Sequence, residues 1–376
     1  MKFWALFSGM IVGILAAGTV SAVTISLAKE EGEIYSATKI IGLDRIVGLE
    51  YFKESDFDDR ANGLYAGYVA ALDDPNTRYL TVEQKEDYEK AKQGIQQGVG
   101  IKFTWGITNQ YLVITDVQKD SPAKLANINV GDRIVQLDDT LAMASNEMDI
   151  YKKLTTTSEQ PVIYHIQKPD GTIEQIPLVV AQMQLPITTS QILDDNIGYI
   201  EVNNFSSWFE ILDAPKLIFD LRYVTDVSLD EVLWFCDLFL DEGEIFTTID
   251  KDGDTVSYNA TPGKLSQDVA ILTNNLTQGI IEAAVAKLKP LENVYIVGNE
   301  TNGAITVNEL IELSDGSAVL VSTNKINVDG VEISNSPIEP EYEEKQSEAY
   351  TLEIVSSGRK DLDKDTQLQK AIELIK

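Results

Sequence analysis

The sequence is poor in the residues that build most redox, metal and acyl-transfer sites. Of its 376 residues one is cysteine and one is histidine. With Cys236 alone, no intramolecular disulfide and no cysteine metal cluster can form. Cys236 lies in the apolar run Val232–Leu240, where a thiol packs as a small hydrophobe. His165, between Tyr164 and Ile166 in a strand-like run, rules out multi-histidine metal sites and argues against a Ser-His-Asp triad. No metal and no cofactor is expected. Basic residues are scarce too: 30 against 60 acidic ones, a net charge of −30 with no long basic run. Such a surface repels nucleic acid phosphates and anionic headgroups, so no nucleic acid partner is expected, and the acidity reads first as solubility. What is present is a globular composition, 44% hydrophobic and 24% charged. The length implies two or three domains.

Charge is missing altogether from Phe3 to Ala28, about 26 residues, where about 20 suffice to cross a bilayer. Val20-Ser21-Ala22 could be a signal-peptide cleavage site, but apolar sequence continues through Val23, Ile25 and Leu27. The expectation is an uncleaved single-pass anchor with the bulk of the chain on the extracytoplasmic side, and the alternative is secretion after cleavage near Ala22. Lys2 on one flank and Lys29-Glu30-Glu31 on the other set that orientation.

Beyond the anchor, Ile40, Ile41, Leu43, Ile46, Val47 and Leu49 recur near helical period, and Leu64–Leu72 continues the pattern. Asp73-Asp74-Pro75-Asn76 is a turn. Thr81 and Gln84 form a capping-box signature for an acidic helix. This order resembles the N-terminal region of C-terminal processing (tail-specific) serine peptidases. The next segment resembles the PDZ domain of those peptidases. Its marks are Gly98-Val99-Gly100-Ile101, then Ser121-Pro122-Ala123, then Gly131-Asp132-Arg133-Ile134, in family order. The glycine loop can turn backbone N–H groups inward to hold a terminal carboxylate, and the strand from Ile101 can pair with a peptide. Ala123, Leu125 and Ile128 are expected to line the pocket for the peptide's last side chain.

Asn196–Phe205 and Leu217-Ile218-Phe219-Asp220-Leu221-Arg222 resemble the entry to the family's protease core, although Phe205 and Leu217 stand only 12 apart (217 − 205), too close for the helix usual there. Val269–Asn275 reads as a parallel-sheet strand. The resemblance implies a serine-lysine dyad, in which lysine takes the serine proton and backbone N–H groups hold the oxyanion. Anchored on Glu282, the serine position holds Gly279; the lysine position holds Ala304 and the following glutamine position Asn308. Gly279 and Ala304 lie 25 residues apart (304 − 279), the family's serine-to-lysine separation. The glycine-rich turn after Asp-Leu-Arg is replaced by Tyr223-Val224-Thr225-Asp226-Val227, whose branched side chains should resist positive φ and fill the cleft. Thr277 reads as an N-cap for the helix near Gly279, and Asp226, Asp230 and Glu231 as an acidic helix start.

The expected architecture is α/β and multidomain: a membrane segment over 1–28, a helical region over 29–92, a PDZ domain over 93–183, and a peptidase-type α/β core of the ClpP/crotonase kind over 184–376. The expected function is capture of protein C-termini or extended peptides by an inactive homologue acting as adaptor, scaffold or regulator. Self-association or pairing with an active relative is the other partner reading. The competing reading is an active serine-type peptidase with an unrecognised nucleophile.

Overall fold

The structure is a computed structural model that describes residues 31–376 except 155, 157, 159, 185–187, 203–204, 206–208 and 263–264, with side chains from residue 38. The apolar segment Phe3–Ala28, with its Val20–Ala22 alternative, lies outside the described residues. Among those described, no helix is long and apolar enough to cross a membrane. The described residues up to Tyr68 form one unit and Val69–Lys376 a second. In the first, Arg60 on the helix Phe57–Ala70 meets Asp44 on the helix Glu31–Glu50 at 3.0 Å.

The second unit is built on a six-stranded sheet. Ile197–Val202, Lys216–Asp220, Asp268–Thr273, Val294–Gly298 and Tyr342–Glu343 lie in parallel, and Thr188–Leu193 closes one edge antiparallel to Ile197–Val202. Its central strands read as near-continuous apolar runs because both faces are covered. The two-residue side-chain period divides them between two cores. Leu217, Phe219, Val269, Ile271, Val294 and Ile296 face the helices Leu229–Asp237 and Ile281–Leu288. Ile218, Ala270, Leu272 and Val297 face Leu368, Ala371 and Ile375 of the C-terminal helix Thr366–Ile375. The first core is knitted by edge-to-face aromatics, with Phe235 at 5.4 Å from Phe219 and 5.2 Å from Phe239, and it encloses Cys236 completely. Between Ile197–Val202 and Lys216–Asp220 the described residues contain no helix.

A second sheet lies beside this core. Its long strand Ala318–Val328 pairs with Arg78–Leu80, Gly243–Ile249, Val307–Glu312 and Val331–Glu332. Through Arg78–Leu80 the turn Asp74–Thr77 is delivered to the protease-like core. Thr81 and Gln84 form the capping box of the helix Val82–Lys92, as their spacing predicts.

The segment read as a PDZ domain is entered and left through a ribbon, Ile95–Gly98 antiparallel to Ala181–Gln184. Its sheet runs in the order Ile101–Trp105, Leu112–Val117, Arg133–Leu137, Val162–Gln167, Ile173–Leu178. Leu112, Ile114, Ile134, Leu137, Ile150 and Tyr164 fill its interior. His165 lies on Val162–Gln167, opposite Gln136 and Gln175.

Where Lys216–Asp220 ends, a buried charge cluster fixes the C-terminal helix. Arg222 donates to Asp220 (Nε to Oδ1 2.9 Å, Nη2 to Oδ2 2.6 Å), to Asp365 (Nη2 to Oδ2 2.8 Å) and to Gln367 Oε1 (3.0 Å). Tyr199 Oη donates to Asp220 at 2.6 Å, and Asp365 Oδ1 caps the helix by accepting from Leu368 N at 3.0 Å. Burial alone would raise the Asp365 carboxyl; Arg222, Gln346 and the helix N–H hold it below the ordinary range. Breaking such a pair from one side costs roughly 3–5 kcal/mol. Arg222→Met, which leaves two buried carboxylates facing each other, is expected at the top of that range in urea denaturation. Asp365→Asn, which leaves Arg222 its Asp220 partner, is expected near the bottom. Because the Asp365 carboxyl is depressed, the wild-type advantage over Asp365→Asn is complete above its ordinary value of 3.8 and fades as pH falls through the folded-state value. A pH-independent difference would contradict the charge assignment.

Candidate functional site

The loops after the parallel strands converge where the resemblance places a dyad. Gly279 has φ +89, and a side chain built there meets nothing within 4 Å. Ala304 is buried, and its carbonyl accepts from Asn76 Nδ2 at 2.8 Å. Asn76 also donates to Thr306 Oγ1 at 3.0 Å and accepts from Gln278 Nε2 at 3.4 Å. Asn308 Oδ1 accepts from Thr306 Oγ1 at 2.9 Å and from Ser322 Oγ at 3.1 Å. Of these, Asn76, Gln278, Gly279 and Asn308 line a cavity of about 260 Å³. Among the described residues its ionisable lining is Arg78 and Asp226, 3.6 Å apart as an ion pair, with no lysine or histidine to serve as a base.

Glu282 ties the loops together. It is fully buried and accepts from Gly279 N at 2.9 Å, from Gly303 N at 2.6 Å and from the Thr301 hydroxyl. Burial raises its carboxyl, and those donors act against the rise. The arrangement is a scaffold for two loops: the carboxylate spends its lone pairs on holding Gly279 and the Ala304 loop in register.

One sequence expectation is corrected at this site. Thr277 is not a helix cap. It is wholly buried, its hydroxyl donates to Leu221 O at 3.0 Å and accepts from Asn274 N at 3.1 Å, and the helix Ile281–Leu288 begins without a side-chain cap. A turn residue with both hydroxyl functions engaged is a lock. In the turn Tyr223–Val227, positive φ falls on Tyr223 (+76) and Asp226 (+53), neither branched at Cβ, and not on Val224, Thr225 or Val227. Gln278 N donates to Val224 O at 3.0 Å and Val224 is buried, so the fixed turn imposes the left-handed conformation despite its steric cost. Thr225 is exposed and lines the cavity. The acidic group is structural: Ser228 and Glu231 make a capping box, and Lys92 reaches Glu231 at 3.5 Å and the Asp226 carbonyl at 2.5 Å.

The second candidate site is on the PDZ-like domain. The strand Ile101–Trp105 is at the sheet's end, paired with Leu112–Val117 alone among the described strands, so its other edge is open. Gly100 has φ +78 and packs under Ser121 and Met183. Val99 is buried; its carbonyl accepts from Ala123 N and that of Gly100 from Gln118 N, which turns the loop's other side outward. Gly98 ends the preceding ribbon strand. The expected pocket residues are placed differently. Leu125 is 81% exposed and so lines no pocket, while Ala123 and Ile128 are fully enclosed in the domain core. The four-residue helix Pro122–Leu125 turns one side inward and the other to solvent, and Ala123 and Leu125, two apart and so about 200° around the axis, fall on opposite sides. The helix Glu147–Leu154 lies beside the open strand, with its Tyr151 ring 6.4 Å from Phe103. Ile150 and Leu154, four apart and both turned to the core, were the signal for that helix.

Comparison with known proteins agrees with this geometry. Residues 196–344 match Peptidase family S41, and residues 88–164 match the PDZ domain. The carboxy-terminal processing protease CtpA of Bacillus subtilis (strain 168) is 25% identical over 308 residues, 78% of this chain and 65% of its own length. A Staphylococcus aureus (strain COL) protein assigned as a CtpA-like serine protease is 23% identical over 363 residues, 91% of this chain and 72% of its own. This chain thus spans about two thirds of the length of those relatives. A solved Bacteroides fragilis protein assigned as an S41 protease shares the fold at a TM-score of 0.56 and 16% identity, covering 88% of this chain and 96% of that one.

The two positive-φ positions make opposite predictions. Gly279→Ser meets no steric obstacle yet is expected to destabilise by about 1–2 kcal/mol, because a side chain resists the left-handed region. Tyr223→Gly, which relieves the same penalty at a residue 66% exposed, is expected to stabilise by about 1 kcal/mol. Urea titrations that gave both changes the same sign would contradict these backbone assignments.

Proposed function

The chain belongs to peptidase family S41 and carries a PDZ domain, and from that premise we propose that it binds protein C-terminal tails or extended peptides without cleaving them. The observation that carries this reading is the pair Gly279 and Ala304: where the family places a nucleophile and its base, this chain has neither. The surroundings support it. Thr277 is buried with its hydroxyl engaged, and the cavity's ionisable residues are an arginine and an aspartate paired with each other. Thr225 offers a hydroxyl beside the cavity, but no neutral base lines it with Thr225.

Binding falls to the PDZ domain. An open strand edge gives main-chain pairing to an extended peptide, and a glycine turn at the start of that strand suits a terminal carboxylate. The role is that of an adaptor or regulator, held at the membrane by Phe3–Ala28 with its folded bulk on the extracytoplasmic side.

The absence of catalysis is tested with residues 29–376 and unstructured substrates with apolar C-termini. The expected result is no cleavage above a buffer control. Cleavage that survives removal of host proteases and disappears on Thr225→Ala or Thr277→Ala would overturn the reading. Binding is tested by calorimetry with peptides ending in small apolar residues, each beside a C-terminally amidated twin. Hydrogen bonds to a charged group contribute about 1.5–3 kcal/mol, so amidation is expected to weaken binding roughly 10- to 100-fold. Equal affinity of the twins would remove carboxylate capture.

A further inference from the structure

The cavity of about 260 Å³ beside Gly279 has an incomplete ion pair in its wall. Arg78 Nη2 and the Asp226 carboxylate stand 3.6 Å apart, beyond hydrogen-bond range, and about half of each side chain is exposed. Among the described residues the Arg78 guanidinium donates no hydrogen bond, its other contact being the Tyr88 ring, and the Asp226 carboxylate accepts none. Both residues are fixed through their backbones. Arg78 is in register with Leu320 in the second sheet, and the Asp226 carbonyl accepts from Lys92 Nζ at 2.5 Å. Three neutral groups of the lining are unspent as well. Asn308 gives Oδ1 to the Thr306 and Ser322 hydroxyls, which leaves Nδ2 as a donor. Gln278 gives Nε2 to Asn76 at 3.4 Å, which leaves Oε1 as an acceptor. The Thr225 hydroxyl has no partner among the described residues.

We propose that this cavity binds a free α-amino acid with a carboxamide side chain. The ligand lies across the ion pair from the cavity side, its carboxylate on Arg78 and its ammonium on Asp226. Its side-chain amide meets Asn308 Nδ2 and Gln278 Oε1. Charge selects this class. An anion alone would meet Asp226 and the field of a chain that carries −30. A cation alone would face Arg78. An apolar ligand would take water from these five polar groups and return no hydrogen bond to any of them. An α-amino acid is neutral overall and carries its two charges side by side, as the wall does.

Each half of the ligand has a chemical match. A guanidinium fork takes a carboxylate through two parallel bonds, and a carboxamide needs one donor for its oxygen and one acceptor for its nitrogen. Size agrees too: drug-sized ligands usually occupy about 300–1,000 Å³, and this cavity of about 260 Å³ suits a smaller molecule. None of the lining residues belongs to the matched PDZ segment 88–164, so this site and tail capture can fail separately.

The test is calorimetry on the full chain in mild detergent with L-glutamine and two analogues. Glutaramate keeps the carboxylate and the carboxamide but lacks the ammonium, and L-glutaminamide keeps the ammonium but lacks the carboxylate. Each loses a charge-assisted bond and is expected to bind roughly 10- to 100-fold more weakly than glutamine. L-leucine, which leaves Asn308 Nδ2 and Gln278 Oε1 unpaired, is expected to bind about 10-fold more weakly. Asp226→Asn, in which asparagine tolerates the positive φ, is expected to weaken glutamine binding without weakening that of glutaramate. Arg78→Gln is expected to weaken glutamine binding without weakening that of L-glutaminamide. Both side chains are half exposed, so circular dichroism of each variant should match the wild type. Absence of glutamine binding up to about 10 mM overturns the proposal. So does equal affinity for glutamine and both analogues. Glutamine binding that survives both substitutions places the ligand elsewhere and overturns it as well. Leucine binding as tight as that of glutamine removes the carboxamide contact and the proposal with it.

Discussion

The fold depends on one buried arginine. Arg222 stands where the second parallel strand leaves the sheet, and its guanidinium is shared by Asp220 on that strand and Asp365 at the start of the final helix. A charge this deeply buried is tolerable only with its partners in place. Closing the cluster brings Leu368, Ala371 and Ile375 onto one face of the sheet and completes the second core. The strand end so fixed is also the start of the turn Tyr223–Val227, and the Leu221 carbonyl beside it accepts the Thr277 hydroxyl. The loops around Gly279 and Ala304 therefore rest on this buried charge cluster.

The loops at the ends of the parallel strands are held in shape in the same way. Glu282 holds Gly279, Thr301 and Gly303 through backbone and hydroxyl donors, none of which requires a serine or a lysine nearby. Asn76 fastens the N-terminal turn to Ala304 and Thr306 from across the chain. A polar cavity persists because its walls are hydrogen-bonded to each other. Positive φ at Tyr223 is the clearest sign of this dominance, since the frame imposes a glycine-type conformation on an aromatic residue.

The PDZ domain is joined to this frame by a two-stranded ribbon and by the region after the sheet's last strand. Gly358, at φ +71, ends the helix Glu348–Ser357 so close to the Ile114 carbonyl that a side chain there would collide with it. Arg133 reaches the Ser356 carbonyl at 3.4 Å. The C-terminal segment thus touches the peptide-binding domain on its way to the Arg222 cluster. One stretch of chain thus contacts both the PDZ domain and the Arg222 cluster.

The sequence by itself determined what local chemistry can encode. Apolar runs marked the parallel strands, Thr81 with Gln84 marked a capped helix, and a lone cysteine and a lone histidine excluded whole classes of site. The expectation that Gly279 and Ala304 stand at the dyad positions comes from the 25-residue spacing between them, which is a property of the chain alone. Only the tertiary structure decided what depends on distant partners. It showed Thr277 locked by Leu221 and Asn274, Asn76 bonded to a loop more than 200 positions away, and Tyr223 forced to positive φ by its surroundings. It also enclosed Ala123 and Ile128 in the domain core and left Leu125 in solvent. A short helix shows no period in sequence from which to read the side it buries. That choice follows from how the sheet and its connections close, which residue spacing does not contain.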